Sequence, residues 1–158
     1  PKVNVIEANI AAQLAQYIYQ KCNDFDVLKT LGIIVPYRNQ IATVRAAIDR
    51  LGIPQLHDIT NDTVERYQGS QRDYIIYGFT VHHRYQLNFL ANNIFEEDGS
   101  PIDRKLNMAM TRARLHLNLI GNPSLLSEIP VFDRLISYLR GKESYLEMDA
   151  EQYCKGSF

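Results

Sequence analysis

The sequence predicts an α/β domain with a mostly parallel sheet and helices on both faces of that sheet. Two short apolar runs, residues 32–35 and 74–79, are continuous and rich in β-branched or aromatic side chains, which is typical of strands buried on both faces. Segments with helical periodicity alternate with these runs along the chain. The 158 residues are 46% hydrophobic, so we expect one domain with a substantial core.

The first predicted element is a helix over residues 5–22. Asn4 with Glu7 three residues later resembles a capping box, in which each side chain bonds the backbone N–H of the other residue. Apolar side chains recur at helical spacing at Ile6, Ile10, Leu14, Tyr17 and Ile18. These side chains predict one face that packs on the sheet.

The remaining elements follow in a regular order. They are a strand at 32–35, a helix at 41–51, a short strand ending at 63–64, a strand at 74–79, a helix at 103–110, a strand at 115–120 and a helix at 131–139 that Gly141 stops. Residues 81–101 are predicted mostly as loop around a short apolar piece at 87–90. We expect residues 1–148 to form the domain and 149–158 a loosely ordered tail.

Charge and cysteine content argue against several classes of protein. The formal net charge is −1, so any contact with nucleic acid has to be local. Cys22 and Cys154 lack CxxC spacing, which argues against a disulfide framework and suits a cytoplasmic (intracellular) protein. His82 and His83 lack a third ligand at suitable spacing, so no metal site is expected. No apolar run reaches the roughly 18 residues of a membrane span, and no membrane partner is expected.

Three polar clusters are interpreted as turns that follow the predicted strands, at residues 36–40, 63–73 and 104–114. Ligands of a parallel sheet bind beyond the carboxyl ends of its strands, so we expect all three clusters there. The third cluster has four basic residues and no acidic one: Arg104, Lys105, Arg112 and Arg114. That excess suits an anion, and a solvated helix face is the alternative.

The three clusters resemble motifs of superfamily 1 helicases. Residues 106–114, LNMAMTRAR, are similar to motif VI, whose usual form is LNVALTRAR. Residues 63–73, TVERYQGSQRD, resemble motif V, and residues 32–40, GIIVPYRNQ, resemble the GIITPYxxQ segment before it. The three occur in the family's order, so the chain is identified as similar to the second RecA-like motor domain of these helicases. The branch is that of the nonsense-mediated decay helicase and the nuclease-helicase of Okazaki-fragment processing.

The resemblance implies a RecA-like three-layer sandwich of the P-loop NTPase type, and roles for four residues in handling ATP. Arg112 matches the arginine finger, which reaches the γ-phosphate of ATP across a cleft. Gly69 matches the glycine of motif V, and Gln71 stands where the family usually has a glutamate that bonds the ribose. Arg114 stands where the family often has lysine, with structural charge pairing as the alternative role.

The resemblance also implies a path for single-stranded DNA or RNA. Thr63 matches a position that binds a nucleic-acid phosphate, and Tyr37 and Arg38 lie in the segment that lines the strand channel. Val35 stands in place of a common threonine and Glu65 in place of a common aspartate. The contacts expected at this channel follow the backbone of the strand rather than its base sequence.

The sequence lacks the GxxxxGK[ST] loop that cradles phosphates, so this domain has no phosphate loop of its own. ATP and Mg²⁺ are therefore expected on the first RecA-like domain of the same polypeptide, which is the implied partner. The full-length protein is then an ATP-dependent helicase, and the isolated domain is expected to be inactive. The alternative is a degenerate RecA-like module that binds nucleic acid or protein without ATPase activity. A flavodoxin-like enzyme fits less well, since no glycine-rich loop follows the first strand.

Overall fold

A computed structural model of the chain describes residues 3–67, 70–147 and 149. The helices are α1 (Val5–Lys21), α2 (Asn39–Asp49), α3 (Pro54–His57), α4 (Leu87–Ala91), α5 (Arg104–Met110), α6 (Pro123–Leu126) and α7 (Pro130–Gly141). The strands are β1 (Leu31–Ile34), β2 (Thr60–Asp62), β3 (Arg72–Gly78), β4 (Ile94–Glu97), β5 (Ser100–Asp103) and β6 (Ala113–Ile120). Two 3₁₀ helices are η1 (Val64–Tyr67) and η2 (Arg84–Gln86).

Four strands form a parallel sheet in the order β2-β1-β3-β6. β4 and β5 form a separate antiparallel hairpin. Each parallel connection passes through at least one helix, because the chain has to return to the same end of the sheet before the next strand begins. The predicted α/β class with a mostly parallel sheet is confirmed.

The sheet has a hydrophobic core on each face. Ile33 and Ile76 belong to the core that α1 and α2 cover, whereas Ile34 and Ile75 belong to the core that α5 and α7 cover. All four side chains are at most 1% exposed. Successive strand residues point to opposite faces, so a strand with two covered faces is apolar throughout. This arrangement confirms the three-layer sandwich and explains the continuous apolar runs.

The helix predicted at residues 5–22 is confirmed. Of the two hydrogen bonds of the predicted capping box, the one from Glu7 N to Asn4 is present, but the one from Asn4 N to the Glu7 side chain is not. Glu7 N donates to Asn4 Oδ1 at 3.0 Å, as an N-cap requires. The Glu7 side-chain oxygen Oε1 accepts from Thr80 N (2.7 Å), and Asn4 N donates to Gln40 Oε1 (2.9 Å). Glu7 is buried at 5% exposure, so tertiary partners replace the local one.

The apolar face predicted for α1 is correct only in part. Ile10 and Ile18 are buried, but Ile6 and Tyr17 are 50% and 43% exposed. The alanines of the helix take up the rest of the contact with the core, at Ala8, Ala11, Ala12 and Ala15. Small side chains let α1 lie close to the sheet and to α2, which a count of large apolar residues does not reveal.

Residues 81–101 were predicted mostly as loop, and this prediction is wrong. The apolar piece at 87–90 does form α4, but the β4–β5 hairpin follows it. Asp98 and Gly99 have φ values of 52° and 79° and form the two-residue turn between the strands. Asp-Gly is a strong hairpin signal, and it was obscured by the acidic, exposed end of β4 at Glu96 and Glu97.

Smaller differences concern the ends of elements and the tail. α3 was not predicted, and Gly141 is the last residue of α7 rather than a stop beyond it. Of the predicted tail, residues 150–158 lie outside the described residues. Over the part of the chain that the structure describes, no helix is long and apolar enough to cross a bilayer.

Candidate functional site

The predicted site residues lie at two opposite ends of the parallel sheet. Tyr37, Arg38 and Thr63 follow the carboxyl ends of β1 and β2. Gln71 and Arg112 directly precede the amino ends of β3 and β6. Since all four strands run in one direction, the expectation that every cluster lies beyond the carboxyl ends is wrong for Gln71 and Arg112. We call these two regions the carboxyl end and the amino end.

At the amino end, the segments that resemble motifs V and VI lie side by side. Arg72 N donates to Arg112 O (2.9 Å), and Gln71 Nε2 donates to Thr111 O (3.1 Å). These bonds continue the β3–β6 pairing beyond the strands. The structure therefore brings the predicted Gln71 and Arg112 together, although 41 positions separate them in the sequence.

The guanidinium of Arg112 has one buried donor without a partner among the described residues. The residue is half-buried, its Nε is buried, and that Nε has no hydrogen-bond partner among the described residues. No carboxylate of the described chain forms an ion pair with Arg112. A buried donor left unpaired costs about 1–3 kcal/mol, so an anion that met this group would be bound favourably.

The other residues expected at the nucleotide are placed differently. Arg114 Nε pairs with Asp73 Oδ1 at 3.3 Å, and the Arg114 side chain is 62% exposed. This is the structural charge pairing considered as its alternative role, and an exposed pair of this kind contributes at most about 1 kcal/mol. Gly69 lies outside the described residues.

Arg72 was missed by sequence reasoning, although it organises the amino end. It is 6% exposed and donates to Ser70 Oγ (2.5 Å), Gln71 O (2.9 Å) and Thr60 Oγ1 (2.9 Å). Its guanidinium also lies over the ring of Tyr67, 5.6 Å from the centroid. The sequence around Arg72 does not indicate that it is buried, because its neighbours are polar and typical of an exposed turn.

At the carboxyl end, a cavity of about 390 Å³ brings the three predicted nucleic-acid residues together. It is lined by Pro36, Tyr37, Arg38, Asn39, Thr63, Glu65 and Lys105. Arg38 is exposed and Thr63 is buried at 7% exposure. Burial, with a smaller contribution from the Asp103 carboxylate, raises the pKa of Tyr37, so its hydroxyl stays protonated and uncharged.

Lys105 belongs to this cavity and was not among the predicted site residues. Its Nζ lies 2.9 Å from Glu65 Oε1. Partial burial acts to raise the pKa of Glu65, but hydrogen bonds from Lys105 and Thr63 and the charge of Lys105 outweigh it, and the pKa is lowered. Glu65 is thus ionised and holds the ammonium group at the edge of the cavity.

A sequence profile for a family described as AAA domain matches residues 1–124. The chain belongs to this family of RecA-like helicase domains.

Individual relatives support the same assignment. The chain is 33% identical over 121 residues to regulator of nonsense transcripts 1 of Dictyostelium discoideum, covering 74% of this chain and 8% of the relative. A homolog of that protein in Arabidopsis thaliana is 32% identical over 121 residues, covering 74% and 9%. The DNA replication ATP-dependent helicase/nuclease of Mus musculus is 27% identical over 156 residues, covering 95% and 13%. The chain thus spans 8–13% of the length of these helicases.

In this helicase domain, η1 and α5 connect the two ends of the sheet along one face. η1 begins beside Thr63 at the carboxyl end and leads towards Ser70 at the amino end. α5 begins near the cavity and ends two residues before Arg112. The Lys105–Glu65 ion pair joins the first turn of α5 to η1. α5 therefore joins the edge of the cavity to the segment that carries Arg112.

A larger cavity lies elsewhere in the helicase domain and contains none of the predicted site residues. It has a volume of about 490 Å³ and lies between β6, α1 and α7, with a lining that is mainly apolar. It has no cluster of charged groups to bind a nucleotide. Among the described residues, no group of three or more His, Cys, Asp or Glu side chains could hold a metal ion.

Proposed function

We propose that this chain is the second motor domain of an ATP-dependent superfamily 1 helicase or translocase. The observation that carries the proposal is the state of Arg112, which is half-buried at the amino end, outside any ion pair of the described residues, and has a buried Nε without a partner. Such a group is ready to bind an anion from outside the domain. In the full-length protein, that anion is the γ-phosphate of ATP on the first RecA-like domain.

Arg112 would act as the arginine finger. A guanidinium positioned at a transferring phosphoryl group stabilises the charge that develops there, and arginine fingers are worth about 10³ to 10⁵ in rate. ATP with Mg²⁺ supplies the phosphoryl group, held mainly by the first domain. Gln71 is fixed beside Arg112 through Thr111 O, which leaves its side-chain oxygen to accept a hydrogen bond from the ribose. We place Gly69 and Arg114 at the same nucleotide on the resemblance alone.

The carboxyl end would hold single-stranded DNA or RNA. Arg38 offers an exposed charge to a phosphate, and Tyr37 and Thr63 line the same cavity. Lys105 also lines the cavity, but its ammonium group is paired with Glu65, so we assign the phosphate contact to Arg38. Binding through phosphates releases counterions, so the affinity should fall as the salt concentration rises. In a plot of log affinity against log salt concentration, Arg38→Ala should make the slope shallower by about one.

A second candidate function is a RecA-like module that binds nucleic acid or protein without hydrolysing ATP. Two substitutions favour it. Val35 is 1% exposed and packs in the core, so this position offers no hydroxyl to a strand. Gln71 lacks the negative charge of the usual glutamate. Neither substitution removes Arg112, which a module without ATPase activity would not need.

The deciding experiment is an ATPase assay on the full-length protein, with and without single-stranded RNA or DNA. We expect Arg112→Ala to lower the stimulated turnover by about 10³-fold or more while ATP affinity changes little. Arg134→Ala, on the exposed side of α7, is the matched control and should retain the wild-type rate. Unchanged turnover in Arg112→Ala would refute the arginine finger. A wild-type protein without ATPase activity would favour the binding module.

A further inference from the structure

Three exposed aromatic rings lie side by side just after β3. His83 and Tyr85 are nearly parallel, with ring centroids 5.6 Å apart and an interplanar angle of 12°. The His82 ring centroid is 4.2 Å from that of His83. Tyr85 is 58% exposed, and both histidines are also exposed. We call His82, His83 and Tyr85 the aromatic platform.

The platform rests on a loop that buried polar groups hold in place. Gln86 is 2% exposed, and its Oε1 accepts hydrogen bonds from His82 N and His83 N, both at 2.9 Å. The side chain of His83 in turn accepts from the backbone of Gln86. The next residue, Leu87, is buried in the core that α5 and α7 cover. The backbone that carries the rings is therefore held in place by internal bonds, which lowers the entropy cost of ordering this loop on binding.

The backbone at the base of this loop is strained at Thr80, and a buried hydrogen bond holds it in that conformation. Thr80 is 1% exposed and has φ of 75°, a left-handed conformation that is unfavourable for a β-branched residue. Its N–H donates to Glu7 Oε1 at 2.7 Å, so α1 fixes the point where the chain leaves β3. Strain of this kind persists where the surrounding structure enforces it, and it is concentrated at functional sites.

The platform follows the carboxyl end of β3, so it lies at the same end of the sheet as the residues proposed to hold the strand. β3 is the direct neighbour of β1, and Tyr37 follows β1. The ring of Phe89, in α4, meets the ring of Tyr37 edge-on at 6.2 Å. Phe89, four residues after Tyr85 in the chain, therefore contacts a residue that lines the cavity together with Arg38. The guanidinium of Arg84, within the platform's own loop, is paired with Glu128 at 3.1 Å.

We propose that the aromatic platform stacks an unpaired base of single-stranded nucleic acid, with Tyr85 as its outer ring. This inference rests on the proposed function, which places the strand at the carboxyl end. Proteins that bind single strands combine cationic groups for the phosphates with aromatic rings for the bases, and a base of any sequence has a π-face to stack. Arg38 supplies the first component and the platform supplies the second.

The test compares two oligonucleotides that share a backbone. Binding of the full-length protein to a fluorescein-labelled ten-nucleotide oligo(dT) and to an abasic oligonucleotide of equal length is measured by anisotropy, without ATP. We expect Tyr85→Ala to weaken binding of oligo(dT) about tenfold and to leave the abasic affinity unchanged. Tyr85→Phe keeps the ring and should bind as the wild type does. Tyr138→Ala, which removes a 62% exposed ring on α7, is the matched control.

Each other outcome is also informative. Equal oligo(dT) affinities of wild type and Tyr85→Ala would overturn the platform and leave the proposed function standing. An equal loss of affinity for both oligonucleotides would also overturn it, because the ring would then support the loop and not a base. Arg38→Ala should weaken the binding of both oligonucleotides, which would show that the assay detects phosphate contacts. If the wild type binds neither oligonucleotide, the proposed function fails first and the platform with it.

Discussion

The main-chain N–H of Arg72 donates to the carbonyl oxygen of Arg112 over 2.9 Å. This bond sets the start of β6 against the start of β3, so the position of Arg112 depends on the position of Arg72. The side chain of Arg72 is itself held by three hydrogen bonds and by the ring of Tyr67. Arg72 thus supports the amino end of the sheet, where the proposed catalytic residue Arg112 lies.

Gly32 makes room for this arrangement, and its substitution should disturb it. A Cβ at Gly32 would overlap Tyr67 Oη and lie 3.1 Å from Arg72 Cγ. Tyr67 cannot yield easily, because its hydroxyl donates to Thr60 O (2.6 Å) from a fully buried position. We expect Gly32→Ala to lower the free energy of unfolding by about 1–3 kcal/mol, measured by urea denaturation.

The control for Gly32 is Gly141, the last residue of α7, where an added Cβ meets nothing within 4 Å. Gly141→Ala should leave stability unchanged or raise it by up to about 1 kcal/mol, since alanine favours helix. If both alanine variants unfold at the same urea concentration as the wild type, the packing described around Tyr67 is wrong.

The buried carboxyl group of Glu7 should make stability depend on pH. Burial raises the pKa of Glu7 to about 8, against the opposing effect of the hydrogen bond from Thr80. The folded state then binds a proton more tightly than the unfolded state, whose pKa is near 4.5. Stability contributed by this group is complete below about pH 4.5 and is lost as the pH rises towards 8.

Glu7→Gln removes the titration while keeping an oxygen that can accept from Thr80. We expect the free energy of unfolding of the wild type to fall relative to that of Glu7→Gln between pH 5 and pH 8.5, as measured by urea titrations at intervals of half a pH unit. A difference between the two proteins that stays constant over this range would show that Glu7 keeps one protonation state throughout.

The ion pair between Lys105 and Glu65 should couple strand binding to ATP turnover. It joins α5, which ends two residues before Arg112, to η1, whose last residue Tyr67 accepts a hydrogen bond from Ser70 N. We expect Lys105→Met and Glu65→Gln each to reduce the stimulation of ATPase by saturating single-stranded nucleic acid several-fold, with a smaller effect on the unstimulated rate. Both side chains reach solvent, so stability should change by less than about 1 kcal/mol.

A double-mutant cycle separates coupling from independent effects. If the pair acts as a unit, the double variant should lose no more stimulation than the more affected single variant. Additive losses would show that Lys105 and Glu65 act separately, and the proposed route between the two ends of the sheet would then be incorrect.

The parallel sheet was predictable because its cause is local in the sequence. Strands covered on both faces have to be apolar at every position, so residues such as Ile33 and Ile34 mark β1 without any knowledge of their partners. The N-cap Asn4 was predictable for the same reason, since it bonds Glu7 N three residues away. The β4–β5 hairpin had a local signal in Asp98 and Gly99, and that signal was missed.

The placement of the site was only partly predictable. The motif resemblance placed Gln71 and Arg112 in one function, and the structure brings them together through Thr111. Lys105 was seen only as part of a basic cluster, because its role depends on Glu65, 40 positions away. Arg72 resembled any other charged turn residue, since its burial depends on Tyr67 and Thr60 meeting it from other elements.

The residue order by itself therefore decided the class of the fold, the succession of its main elements and the family to which the chain belongs. These properties follow from periodicity and from motifs that each occupy about ten neighbouring residues. The tertiary structure decided which end of the sheet each motif occupies, that Glu7 bonds Thr80, and that Arg72 bonds Thr60. Those relationships arise between segments whose separation in space the chain sets only once it has folded, so no local pattern encodes them.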